Sequence, residues 1–323
     1  MRRRWPGRRP DHLGPQGLSL ARLLDVSDLV EDASPQLREV AAALAPHTGR
    51  AEVIGLTGSP GVGKSTTTSA LVSAYRALGK RVGVLAIDPS SPFSGGALLG
   101  DRIRMQDHAT DPDVFIRSMA TRGHLGGMAW ATPQALRVMD AAGFDVVLIE
   151  TVGVGQSEVD VVSLADTTLV LLAPGMGDGI QAAKAGILEI ADVFVVNKAD
   201  RDGADTTVRE LKYMISLGRR ELRGPSWRQP IRKTVAARGE GVEGVIEAIG
   251  SHREWLTAHG ELAERRVVRA RTEVEAIALE SLRARLVDLH GGDSLDRLAK
   301  RVMAGDLDPY QAADALIAEI KDS

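Results

Sequence analysis

The chain has 323 residues, enough for one large domain or for a domain of about 200 residues with an appendage. Its net charge of −3 gives no electrostatic case for nucleic acid as the main partner, and no apolar run is long enough to span a membrane. The absence of cysteine excludes disulfides and thiolate metal sites and predicts a cytoplasmic location.

The first 50 residues are predicted to form a disordered tail followed by helices. Met1–Pro10 carries five arginines without an apolar stretch behind them, so residues 1–17 are interpreted as a disordered basic tail rather than a secretory signal. Leu18–Leu44 has apolar residues at mostly helical spacing, broken near Ser34-Pro35. Residues 18–50 are therefore predicted to hold two N-terminal helices.

Residues 51–250 alternate short apolar strands with helical patterns, which is typical of an α/β fold. Continuous apolar runs indicate strands buried on both faces of a mainly parallel sheet, whose carboxyl ends build the ligand site. The predicted strands are Val53–Thr57, Arg81–Ile87, Val114–Arg117, Val146–Ile149, Leu169–Leu172, Val193–Val196 and Ile231–Thr234.

Residues 251–323 lack strand signals. Glu254–Leu289 is helical in composition, and Asp293–Ala304 and Pro309–Ile320 predict two shorter helices. The pattern fits either a helical cap on the sheet or a dimerisation arm, and composition does not separate the two.

The segment from Gly58 to Ser65 fits the phosphate-loop pattern G-x-x-x-x-G-K-[ST], between a predicted strand and a helix that ends at Gly79. Its backbone N–H groups and the helix N-terminus would hold phosphates, Lys64 would reach the terminal phosphates, and the Ser65 hydroxyl would ligate Mg²⁺. The candidate nucleotide-binding residues are Gly58, Ser59, Pro60, Gly61, Val62, Gly63, Lys64, Ser65 and Thr66.

Asn197-Lys198-Ala199-Asp200 follows a predicted buried strand, where a base-reading loop belongs. The Asp200 carboxylate can accept from N1–H and the 2-amino group of guanine, whereas adenine would leave it unpaired. Asn197 would brace the loop, and the stem of Lys198 would cover one face of the base. These residues predict a GTP-binding protein.

Three acidic residues at or after strand ends are candidates for the metal and the attacking water. Glu150 and Gly153 stand where GTPases usually carry Asp-x-x-Gly, whose glycine N–H meets the γ-phosphate. Asp88 ends the second predicted strand, where it could equally be a simple turn residue, and Asp101 follows a glycine-rich segment. Together with Lys64, the three acids are the predicted catalytic residues, and with Ser65 they are the predicted Mg²⁺ ligands.

These motifs together resemble the MeaB/ArgK family, the bacterial counterparts of the human methylmalonic aciduria type A protein. The similarity runs from about Leu18 to Ile320. It is carried by the phosphate loop, Ala86–Gly96, Gly100–Met105, Glu150–Glu158, Asn197–Asp200, Pro174–Asp178 with Gln181 and Lys184, and Val302–Gly305.

The resemblance implies a SIMIBI-type P-loop GTPase that chaperones an adenosylcobalamin-dependent acyl-CoA mutase, typically methylmalonyl-CoA mutase. GTP hydrolysis would gate cofactor loading and help to remove inactivated cofactor. It further implies a homodimer formed through the C-terminal helices, and an additional switch containing Asp178, Gln181 and Lys184. Val235-Ala236-Ala237 replaces the family's usual Ser-Ala base-contacting loop, so backbone contacts alone carry over there.

Alternatives from other classes remain open on the sequence. A metal-insertion GTPase chaperone would share the fold, but such proteins carry Cys/His clusters and this chain has no cysteine. A transport-associated ATPase or kinase of the ArgK type conflicts with the guanine-reading Asp200. A binding module without hydrolysis stays possible if Glu150 does not position water.

Overall fold

The computed structural model describes residues 37–89, 106–108, 110–121, 131–151, 163–175, 190–218, 226–290 and 294–321. The chain divides into two compact units with a boundary between Ala263 and Glu264. The predicted basic tail and the first predicted N-terminal helix lie outside the described residues, while the end of the second appears as helix α1, Leu37–Leu44.

The first unit is built on a parallel sheet, and the seven strands within the described residues confirm the predicted fold class. Their order across the sheet is β3-β2-β4-β1-β5-β6-β7, and every paired neighbour is parallel. Strands β2 and β3 run further than predicted. The strands are β1 Glu52–Thr57, β2 Val82–Pro89, β3 Val114–Thr121, β4 Val146–Thr151, β5 Thr167–Leu172, β6 Val193–Val196 and β7 Ile231–Lys233.

Helices cover both faces of the sheet, which explains the continuous apolar runs of its strands. On one face, α1 and α3 pack against β1 to β4, and α4 packs against β5 and β6. On the other face lie α2 and α5. The ranges are α2 Lys64–Ala77, α3 Ala131–Ala141, α4 Ala204–Gly218 and α5 Val242–Ala258.

A polar cluster ties α5 to the amino-terminal edge of the sheet. His252 is fully buried, and its Nδ1 forms a hydrogen bond with the Thr167 hydroxyl at 2.9 Å. Its Nε2 lies 3.2 Å from Asp192 Oδ1. Trp227 packs on the His252 ring and donates from Nε1 to the Asp192 carbonyl at 2.7 Å. Asp192 also accepts from the Thr168 N–H at 2.8 Å, so one acid joins β5, β6 and α5.

The C-terminal region is helical, as predicted. The predicted helical stretch Glu254–Leu289 is divided at Gly260, whose φ of 76° ends one helix before the next begins. Asp308 caps the last helix by accepting from the N–H groups of Tyr310 and Gln311 at 2.8 and 3.0 Å. The helices are α6 Glu261–His290, α7 Ser294–Met303 and α8 Pro309–Lys321. Among the residues described, no helix has the length and apolarity needed to cross a membrane.

Candidate nucleotide site

The phosphate loop connects the carboxyl end of the central strand β1 to α2. All three of its glycines have backbone angles that L side chains rarely adopt, with φ of 144° at Gly58, 82° at Gly61 and 95° at Gly63. A Cβ atom at Gly58 would also collide with the Leu171 carbonyl, and one at Gly63 would collide with Asn197. Glycine is therefore required at both positions by conformation and by space.

Lys64 and the start of α2 make the loop suitable for an anion. The Lys64 ammonium donates to the carbonyls of Gly58 at 2.6 Å and Ser59 at 3.2 Å, so the side chain folds back over the loop. Gly63, at the N-cap, supplies no capping side chain to the first-turn N–H groups. A helix N-terminus of this kind favours phosphate, because the helix dipole and the N–H groups both point toward it.

Glu150 lies beside the phosphate loop because β4 is the direct neighbour of β1, with Leu56 opposite Glu150. Its side chain is 1 % exposed. Oε1 accepts from the Ser65 hydroxyl at 2.6 Å, and Oε2 accepts from the Thr68 hydroxyl at 2.9 Å. A buried carboxylate and a hydroxyl at a phosphate loop are hard oxygen donors, and this donor set fits Mg²⁺.

Asn197 joins three loops at the edge of the site. This buried side chain donates from Nδ2 to the Val62 carbonyl of the phosphate loop at 2.9 Å. Its Oδ1 accepts from the Thr234 hydroxyl at 3.2 Å and from the Ala236 N–H at 3.1 Å. The phosphate loop, the Asn197–Asp200 loop and the loop after β7 are therefore fixed to one another through a single amide.

Lys198 and Asp200 complete this loop. Lys198 has a φ of 57°, unusual outside glycine, and its ammonium donates to the Gly61 carbonyl at 2.6 Å. The stem of the lysine thus extends from the Asn197–Asp200 loop to the phosphate loop. The partly exposed Asp200 accepts from Arg238 Nη1 at 3.3 Å, and Arg238 also donates from Nε to Glu240 at 2.7 Å.

The segment Val235-Ala236-Ala237 lies next to Asn197, as a base-contacting loop would. Val235 pairs with Glu240 in an isolated antiparallel bridge, which closes the loop. Ala236 is buried and Ala237 is exposed. The Ala236 N–H is directed to Asn197 in this structure.

The structure brings together Lys64, Ser65, Glu150 and the Asn197–Asp200 loop at the carboxyl edge of the sheet. Asp88 is the penultimate residue of β2, but its side chain is not described. The other predicted site residues outside the described ranges are Asp101, Gly153, Asp178, Gln181 and Lys184.

Three residues of the site were not found from the sequence: Thr68, Thr234 and Arg238. Thr66, Thr67 and Thr68 follow one another in the first turns of α2, where β-branched residues are poor helix formers. That run was an available signal for a polar contact. Thr234 and Arg238 gave none, because the site residues that they contact, Asn197 and Asp200, are more than 30 residues away.

A parallel sheet with a phosphate loop after its central strand and an Asn-Lys-x-Asp loop after β6 defines a P-loop GTPase. The model of the family described as methylmalonyl-CoA mutase-associated GTPase MeaB matches residues 20–290. The chain belongs to this family, which confirms the resemblance stated above. It binds guanine nucleotides and hydrolyses GTP.

Individual proteins show the same similarity. A protein of Pyrococcus abyssi named as a GTPase is 48 % identical over 292 residues, covering 90 % of both chains. The mitochondrial methylmalonic aciduria type A homolog of Mus musculus is 35 % identical over 271 residues, covering 83 % of this chain and 65 % of the mouse protein. The crystal structure of a LAO/AO transport system kinase superposes with a TM-score of 0.68 at 29 % identity, covering 97 % of this chain and 96 % of that one.

Proposed function

We propose that this protein is a GTP-hydrolysing chaperone of an adenosylcobalamin-dependent acyl-CoA mutase, with methylmalonyl-CoA mutase as the first candidate. Hydrolysis would gate the loading of adenosylcobalamin and help to remove inactivated cofactor. The observation that carries the proposal is the family match over residues 20–290, since that family is named for its association with methylmalonyl-CoA mutase. The name of the mouse relative, which refers to methylmalonic aciduria, supports the same client.

In this proposal the Asn197–Asp200 loop selects guanine. Asp200 accepts from N1–H and the 2-amino group, and Arg238 must give up its contact with this carboxylate when the base arrives. The Lys198 stem lies against one face of the base. Asn197 does not touch the nucleotide but holds the base-reading loop at a fixed distance from the phosphate loop.

Hydrolysis proceeds by in-line attack of water on the γ-phosphate. Lys64 leaves its two loop carbonyls to neutralise charge on the terminal phosphates, and the loop N–H groups hold the phosphate oxygens. Mg²⁺, when bound, supplies Lewis-acid stabilisation of the developing charge. Ser65 and Glu150 would hold the metal directly or through water, together with Asp88 and Asp101.

We also propose that the second unit forms a homodimer. Within the described part of α6 to α8, large apolar side chains are exposed to an extent that a second copy could cover. They are Val267, Val268, Val274, Leu279, Leu282, Leu295, Met303, Tyr310 and Ile317. The segment with Asp178, Gln181 and Lys184 would transmit contact with the mutase to the nucleotide.

The proposal is tested by measuring GTP turnover with and without a purified adenosylcobalamin-dependent mutase from the same organism. We expect slow turnover alone and strong stimulation by the correct mutase. The control is Asp200→Asn, whose amide can donate to the 2-oxo group of xanthine: turnover should be lost with GTP and return with XTP. If GTP is hydrolysed but no such mutase stimulates the reaction, the chaperone function is refuted while the GTPase remains.

A second candidate follows from the structural neighbour that is named a transport system kinase. A kinase would transfer the γ-phosphate to an acceptor other than water. GTP and ATP that carry the radiolabel on the γ-phosphate distinguish the hydrolase from the kinase. Label found entirely in inorganic phosphate supports the hydrolase, and label on a protein or small-molecule acceptor supports the kinase.

A further inference from the structure

We propose that Thr68 is a positioning residue of the GTPase reaction, which orients Glu150 and, through it, the Ser65 hydroxyl that faces the metal. The inference rests on the proposed nucleotide site. It adds a residue outside the phosphate-loop pattern, one helical turn beyond Ser65 along α2.

The geometry forms a continuous chain of hydrogen bonds in a buried environment. Thr68 Oγ1 lies 2.9 Å from Glu150 Oε2, and Ser65 Oγ lies 2.6 Å from Glu150 Oε1. Thr68 is completely buried, and Ser65 and Glu150 are nearly so. Each oxygen of the carboxylate therefore accepts from a different hydroxyl of the same helix, which fixes the plane of the carboxylate.

Thr68 has an alternative acceptor, the Lys64 carbonyl four residues earlier, at 3.1 Å. Back-bonding of this kind is common for threonine within helices. The contact with Glu150 is shorter, and a carboxylate is the stronger acceptor. The hydroxyl proton is therefore assigned to Glu150.

The consequence for the metal site lies at Ser65. A hydroxyl has one proton and two lone pairs. With its proton donated to Glu150, Ser65 directs its lone pairs, and not its proton, away from the carboxylate, which is the orientation that coordination of a cation requires. If the Thr68 hydroxyl is removed, Oε2 of Glu150 loses a donor that orients it, and the orientation of the Ser65 hydroxyl on Oε1 is less tightly fixed. Mutation of a residue that holds a metal ligand in place commonly lowers metal affinity by about 10- to 100-fold.

The test compares Thr68→Val with Thr68→Ser and with Thr67→Val. Valine matches the shape of threonine but lacks the hydroxyl, and serine restores it. Thr67 is a matched control, because it is a buried neighbour on α2 whose hydroxyl donates to the Gly63 carbonyl at 2.9 Å. The readout is the affinity for a fluorescent GDP analogue, measured in EDTA and across a Mg²⁺ titration.

We expect Thr68→Val to bind GDP normally in EDTA but to need about tenfold more Mg²⁺. In steady-state assays at saturating Mg²⁺, kcat should fall while the KM for GTP changes little. Thr68→Ser should recover Mg²⁺ affinity to within about threefold, and Thr67→Val should resemble the wild type. A Mg²⁺ midpoint in Thr68→Val within twofold of the wild-type value would overturn the inference. So would a loss of Mg²⁺ affinity in Thr67→Val as large as that in Thr68→Val.

Two further outcomes are informative. If Thr68→Val does not fold, Thr68→Ala repeats the test without a misplaced methyl group. Failure of both to fold, while Thr67→Val folds, would give the hydroxyl a structural role and refute positioning. If the wild type itself binds no Mg²⁺–GDP, the proposed site fails, which is distinct from failure at Thr68 alone.

Discussion

Replacing Asn197 by alanine should destabilise the nucleotide-free protein, because one buried amide joins three loops. Three hydrogen bonds are lost, to Val62, Thr234 and Ala236. At about 1 kcal/mol each, the free energy of unfolding should fall by about 3 kcal/mol. The partners of the amide are themselves buried, so water would not readily replace it.

The assay is urea unfolding followed by circular dichroism without nucleotide. Thr234→Val removes one of the three bonds and should cost about 1 kcal/mol. Asn197→Asp keeps both acceptor bonds but buries a carboxylate oxygen against the Val62 carbonyl, so it should lower the free energy of unfolding by more than Thr234→Val does. A loss below about 1 kcal/mol for Asn197→Ala, or equal losses for the alanine variant and Thr234→Val, would refute the reasoning.

Arg238→Ala should raise the association rate of GDP by up to about fivefold. In the wild type, the exposed ion pair between Asp200 and Arg238 must break before Asp200 can bind the base, and the variant has no such pair to break. Stopped-flow fluorescence measures this rate, and slower association would contradict the prediction. Burial raises the pKa of Glu52 above its ordinary value of 4.5, and Arg253 partly opposes the shift. A raised pKa means that the stabilising contribution of Glu52 is complete below pH 4.5 and is lost as the pH rises through the folded-state value. As the pH rises through this range, the free energy of unfolding of Glu52→Gln should therefore increase relative to that of the wild type. Urea unfolding at several pH values measures both, and a difference between the two proteins that does not change with pH would contradict the prediction.

The strands could be predicted from the sequence because burial on both faces leaves continuous apolar runs such as Val193–Val196. The order of the strands could not, since neighbours such as β1 and β4 are about 90 residues apart. Ends of strands were less accurate: β2 reaches Pro89, beyond its last apolar residue, Ile87. At a strand end, backbone pairing with the neighbouring strand can continue through polar residues. The local sequence therefore carries no pattern that marks where the strand ends.

The same limit applies to the nucleotide site. The phosphate loop and Asn197–Asp200 are short motifs whose spacing the chemistry fixes, so the sequence predicts them. Thr68 and Arg238 contribute through partners 82 and 38 residues away. Their roles depend on which strands are neighbours, and that information lies in the packing of the whole unit.

The cluster of His252, Asp192 and Trp227 lies at the amino-terminal edge of the sheet, and the candidate nucleotide site lies at the carboxyl edge, about 20 Å away along strands of six residues. Damage to this cluster should lower the amount of folded protein in a cell while each surviving molecule retains normal kinetics. An inherited or engineered defect in the cluster would thus be a shortage of protein rather than a slower catalyst. Raising expression could correct such a defect, whereas it could not restore a lost Glu150.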